Sequence, residues 1–127
     1  MNFRGKTRKD RIMLDLRKLL LMIQEQKGMK ANMSLEFDCE IETDDPKPLV
    51  KVINYVINYL TALTDQPLEI SLNPHRSGYM MGFAVHTDKT DLPPLSDQVD
   101  EALQLYNASI ERASDPGKYV RIIITFV

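Results

Sequence analysis

The stretch that decides the fold runs from residue 42 to 73, ETDDPKPLVKVINYVINYLTALTDQPLEISLN. Asp44-Asp45-Pro46 opens a helix, with acids near the N-terminus where the helix dipole favours them. Leu49, Val52, Ile53, Val56, Leu60 and Leu63 recur at helical spacing and predict a buried stripe through about residue 64. Gln66-Pro67 ends the helix. Leu68, Ile70 and Leu72 then alternate with Glu69 and Ser71, the period of a strand. At about 100° per residue, Lys47, Lys51, Asn54, Asn58, Thr61 and Asp65 form a polar stripe opposite the buried one. Two asparagines four residues apart present two amide carbonyls side by side, a pair suited to orienting a metal–phosphate group or a water.

Downstream, Asn73-Pro74-His75-Arg76-Ser77-Gly78 reads as a turn, followed by a hairpin partner from Tyr79 to about Thr87. Its inner face is Tyr79, Met81, Phe83 and Val85. Residues 88–95 read as loop, Ser96 and Asp97 cap a helix to about Ala113, and Val99, Ala102, Leu103, Tyr106 and Ile110 point inward. Asp115-Pro116-Gly117-Lys118 has the order of a type II turn. Tyr119–Val127 is the most hydrophobic strand, and Ile123 makes its second face apolar too, which predicts a central place.

Upstream, Ile12, Leu16, Leu19, Leu20 and Ile23 predict a helix over 8–27, with Gly28 as its C-terminal cap. Its apolar girdle around Leu19, Leu20 and Ile23, together with Ile123, is the expected surface for a protein partner or a homodimer. Residues 34–42 alternate strictly and predict one half-buried strand, with Leu35, Phe37, Cys39 and Ile41 inside and Glu36, Asp38, Glu40 and Glu42 outside. The predicted order is α-β-α-β-β-α-β in one domain over 1–127. That is an α+β fold: a two-layer α/β sandwich, its mostly antiparallel sheet carrying helices on one face.

Composition narrows the function. Sixteen basic and eighteen acidic residues argue against a nucleic-acid binder, and a single cysteine excludes an intrachain disulfide. His75 and His86 are too few for most zinc sites, so no metal site is expected. The run Ile12–Ile23 is interrupted by Asp15, Arg17 and Lys18 and is too short to span a bilayer. A cytoplasmic setting is expected. Residues 1–11 hold five bases against one acid, and 1–7 read as a loose basic arm. Residues 36–45 hold six acids and no base.

The acidic turn ETDDPKPL, the helix KVINYVINYL and the strand PLEISLN together resemble the start of the ATP-binding domain of histidine kinases, in the gyrase, Hsp90, histidine kinase and MutL superfamily. The upstream LDLRKLLLMIQEQKGMK resembles the helix that leads into that domain. The resemblance covers roughly residues 14–88. It implies that Asn58 takes the place of the asparagine that helps hold the Mg²⁺ of the nucleotide. Asn54 stands where the ATPase branches often carry a glutamate base, and asparagine has no useful basicity. Asp88 is the nearest match to the aspartate that reads the adenine amino group.

The chain also departs from that pattern. Thr90 and Leu92 stand where glycines are expected, bulky Tyr59 follows the second asparagine, and the later glycine-rich phosphate cradle is missing. The expectation is therefore a non-catalytic signalling or regulatory module, with no catalytic residue, no cofactor, and Mg-ATP or ADP only as a residual ligand. From residue 34 onward, βαββαβ is also the order of a ferredoxin-like small-molecule-binding or regulatory domain. The two readings differ in strand order: the ferredoxin-like sheet runs 4-1-3-2.

Overall fold

The computed structural model describes residues 11–127; the basic arm at 1–7 lies outside them. The elements are β1 (Ile12–Asp15), α1 (Leu16–Lys27), β2 (Ala31–Leu35), β3 (Glu40–Thr43), α2 (Lys47–Thr61), β4 (Leu68–His75), β5 (Gly78–His86), α3 (Asp97–Gln104), β6 (Ala108–Asp115) and β7 (Tyr119–Phe126). Five strands form a sheet in the order β2-β4-β5-β7-β6, antiparallel except for the β2–β4 pair, and β1 and β3 form a separate antiparallel ribbon. Ile70, Leu72, Met81, Phe83, Val85, Val120, Ile122, Ile124 and Phe126 turn one face of the sheet into the core. Leu16, Leu19, Leu20 and Ile23 of α1, the stripe of α2, and Val99 and Leu103 of α3 complete it. The result is the two-layer α+β sandwich.

The strand order excludes the ferredoxin-like arrangement. There the last strand lies beside the first, whereas here β7 lies between β5 and β6, and β2 sits at the sheet edge beside β4.

Four expectations are corrected. The predicted helix over 8–27 begins only at Leu16 among the described residues, because Ile12–Asp15 is extended and pairs with β3. Asp15 caps α1, its carboxylate accepting from the Lys18 N–H at 3.1 Å, and Gly28 ends it at φ 60° as expected. The single strand over 34–42 is two short strands in different sheets. The last rung to β4 is the Glu36 N–H on the Leu72 carbonyl, after which Asp38 takes φ 62° and the chain turns away. Cys39 stays buried, but Phe37 is 69% exposed.

The helix predicted over 96–113 ends at Gln104. Asn107 adopts φ 53°, and β6 follows as the hairpin partner of β7. Tyr106 is buried and Ile110 packs on the core, as expected of inward residues, but from a turn and a strand. Likewise β4 runs on through Asn73 and Pro74 to His75. Beyond Leu72 its edge toward β2 is unpaired, and an open edge is where a strand tolerates proline. The type II turn is present: Gly117 has φ 75° and the Lys118 N–H donates to the Asp115 carbonyl at 2.9 Å.

Candidate functional site: the polar faces of α2

Helix α2 is built as its sequence requires, with Leu49, Val52, Ile53, Val56, Ile57 and Leu60 buried. Its N-terminus is tied down by a residue from far along the chain. Tyr106 donates its hydroxyl proton to the Asp45 carbonyl at 2.7 Å and accepts from the Leu49 N–H at 3.0 Å, satisfying a first-turn donor that has no helical partner. Burial holds the Tyr106 hydroxyl above its ordinary pKa; the Leu49 amide opposes this, and Asp45 and Asp44 add to it.

The remaining surface of α2 divides into two faces. Asn58 is exposed and its carbonyl oxygen accepts from Lys27 Nζ, in the last turn of α1, at 3.0 Å. Asn54 is half-buried. The other face carries Tyr55 and Tyr59, whose ring centroids are 6.4 Å apart. Tyr55 accepts at its hydroxyl from the Ser96 N–H at 2.9 Å, and Tyr59 donates to the Pro93 carbonyl at 2.5 Å. Arg112 of β6 reaches Tyr59 and the segment, one guanidinium nitrogen lying 2.6 Å from the Tyr59 hydroxyl and 2.6 Å from the Pro93 carbonyl. The segment between β5 and α3 is thus strapped across the tyrosine face by three hydrogen bonds, and Arg112 ties Tyr59 to β6 by a fourth. Beside the strap, a cleft of about 350 Å³ lies between α2 and α3, lined by Pro48, Lys51, Val52, Tyr55, Val99 and Ala102 among others.

Asp88 is exposed just past β5, and the buried residue at that strand end is Thr87. The Thr87 hydroxyl donates to the Leu63 carbonyl at 2.6 Å and accepts from the Lys89 N–H at 3.1 Å. Asp88 lines an open polar cleft of about 680 Å³ with Asp65, His86, Lys89 and Lys118. Asn54 and Asn58 line neither this cleft nor the one beside the strap. The tyrosines were legible only as the repeated INY at 53–55 and 57–59, which sets a tyrosine beside each asparagine. Leu19, Leu20 and Ile23 belong to the chain's own core, and the apolar side chains that α1 exposes are Leu21 and Met22. Ile123 is half-buried on the open face of the sheet, between Gly82 and Glu111.

No family model and no curated protein sequence matches the chain. Solved structures do. The histidine kinase domain of the E. coli osmosensor EnvZ superposes with a TM-score of 0.68 at 12% identity, over 90% of this chain and 86% of that one. The ATP-binding domain of PrrB from Mycobacterium tuberculosis gives 0.67 at 15% identity, over 92% of this chain and 96% of that one. The Acinetobacter baumannii histidine kinase AdeS gives 0.65 at 11% identity, with 91% of this chain covering 66% of that one. The fold is that of the ATP-binding, or catalytic, domain of histidine kinases. Among the described residues, no helix is long and apolar enough to cross a membrane.

Proposed function

We propose that the chain is a signalling or regulatory module that keeps the histidine-kinase-type fold, has lost nucleotide turnover, and works through protein contacts. One observation carries this reading. The face of α2 that meets the segment after β5 bears Tyr55 and Tyr59, and their hydroxyls are spent on the backbone of Ser96 and Pro93. A nucleotide entering between α2 and that segment would have to break the strap and leave the Ser96 N–H and Pro93 carbonyl in need of new partners.

The residues present also fit a Mg-nucleotide poorly. Asn58 gives its carbonyl oxygen to Lys27, and Asp88 lies in a cleft that includes neither asparagine. Thr90 and Leu92 stand where close backbone approach to a base calls for glycine. A base for activating water is missing from α2, since Asn54 is not basic.

Thermal melting with Mg-ATP and Mg-ADP tests the reading. A ligand at about 100 times its Kd stabilises by about 2.7 kcal/mol, several degrees for a domain of this size. We expect no shift at millimolar nucleotide. A clear upward shift that Asn58→Ala and Asp88→Ala remove would overturn the loss of nucleotide binding.

A further inference from the structure

The geometry points to a docking surface on the β2–β3 loop and the outer face of the β1–β3 ribbon, and we propose that it takes a basic, amphipathic helical segment of another protein. The proposal rests on the reading of the chain as a contact module and names the surface it uses.

Phe37 is the anchor. The residue is 69% exposed, yet the loop that carries it is pinned on both sides of it. The Glu36 N–H donates to the Leu72 carbonyl at 2.9 Å, and the Tyr79 hydroxyl donates to the Asp38 carbonyl at 3.4 Å. Cys39 is fully buried, and its carbonyl accepts from the Leu16 N–H at 2.9 Å. Asp38 holds a left-handed φ of 62°, which a residue with a side chain rarely adopts. The phenyl ring is therefore held out by a fixed loop. The Arg17 guanidinium supports one side of it, 4.1 Å from the ring centroid, and the buried Arg17 Nε has no hydrogen-bond partner.

The surroundings define the partner's chemistry. Glu36 and Asp38 flank the ring in the chain, and both lie close enough to Cys39, with Asp15, to push its thiol pKa up beyond the effect of burial. The loop runs directly into β3, where Met13 is the cross-strand partner of Glu42 and Asp15 that of Glu40. Cross-strand partners share a face, so this face of the ribbon presents Met13, 60% exposed, among three acids. Asp15 opposite Glu40 is a like-charge pair on an exposed ribbon; Asp15 caps α1, and among the described residues the ion pair on this face is Glu42 with Arg11 at 3.7 Å. An exposed aromatic with acids around it is complemented by an apolar stripe flanked by lysine or arginine, as on a basic amphipathic helix. The same acids repel anionic lipid and nucleic-acid phosphates.

The test is fluorescence anisotropy on the full chain with two labelled model helices of about five turns, one built of Leu and Lys and one of Leu and Glu. We expect the Leu/Lys helix to bind with a Kd of about 10 µM, and the Leu/Glu helix not to bind. Phe37→Ala should weaken binding about tenfold or more, with a melting temperature within about 2 °C of the parent. Glu36→Gln with Glu40→Gln should weaken it comparably and flatten its salt dependence. Three results overturn the proposal: no binding at about 100 µM, undiminished binding by Phe37→Ala, or a dimer of this chain that Phe37→Ala dissolves. Nucleotide binding is read separately by melting temperature, so the surface and the nucleotide-free reading fail independently.

Discussion

Besides the head of α2, tyrosine hydroxyls hold two loops among the described residues, and these two are put to opposite uses. Between β5 and α3, Tyr55 and Tyr59 bind the backbone of Ser96 and Pro93 and lay the segment down over α2. Between β2 and β3, Tyr79 binds the Asp38 carbonyl, and the loop it fixes stands its aromatic residue out into solvent. The chemistry of anchoring is shared, and the direction of the side chains differs. At the first loop the rings sit on a helix and point toward the chain's own backbone. At the second the ring belongs to the loop itself, and a left-handed residue turns the backbone beneath it. A fold shared with ATP-binding domains has the segment after β5 tied down on α2 here and presents an apolar knob elsewhere.

The largest expected effect lies under the closed side. Tyr106→Phe removes the acceptor for the buried Leu49 N–H and one of the two donors to the Asp45 carbonyl, which keeps the Thr43 hydroxyl, so the Leu49 amide is left unmet at the head of α2. The expected cost is about 2 kcal/mol, read by urea denaturation at pH 7. The pH dependence separates the two regions. Tyr106 and Cys39 both have pKa values raised in the folded state, from ordinary values of 10.0 and 9.0, so the native chain holds these protons more tightly than the unfolded one. Their contribution is complete below those ordinary values and is lost as pH rises through the raised ones. Stability should therefore fall from about pH 9 upward, first through Cys39 under the Phe37 loop and then through Tyr106. Cys39→Ala should remove the earlier part of that slope and Tyr106→Phe the later part. An unchanged alkaline slope in both variants would mean that neither burial is felt in solution.

A smaller effect is expected at the strap itself. Tyr59→Phe removes one hydrogen bond to the Pro93 carbonyl and the acceptor for Arg112, while Arg112 keeps its own bond to Pro93. The expected loss is about 1 kcal/mol. It should be local: amide exchange over 88–96 should speed about fivefold or more, with β5 and β7 unchanged. Equal acceleration across the sheet would show that the strap is part of the global cooperative unit and not a separate closure.

Why some of this was legible in the sequence, and some not, follows from which contacts are local. Helix α2 is periodic in sequence and its buried stripe coincides with the core, so periodicity alone locates it. Strand β6 is different. Tyr106 and Ile110 are spaced like neighbours on a helix and both do turn inward, so local spacing favours helix. The left-handed Asn107 and the pairing with β7, a contact made later in the chain, decide otherwise. Alternation over 34–42 is real as well, but its two halves pair with different sheets, and Phe37 falls in the joint between them. At α2 a single residue separates the expected site from the observed strap. Successive helical residues differ by about 100°, so Asn54 and Asn58 face one way while Tyr55 and Tyr59 face another. Only the packing of α1 and of the segment after β5 tells which face meets which neighbour.

The smallest effect, and the one that best separates presentation from packing, belongs to the open side. Glu40 faces Asp15 across the ribbon, a carboxylate opposite a carboxylate. Glu40→Lys turns a like-charge pair into an attractive one on an exposed strand, so it should stabilise the free chain by about 0.5 kcal/mol, less at high salt. In a domain shaped by stability alone such a change costs nothing else. If the acids serve a basic partner, the same substitution that raises the melting temperature weakens binding of the Leu/Lys helix. A variant that is both more stable and equally able to bind would reduce the acidic face to an ordinary solvated surface and leave Phe37 without its rim.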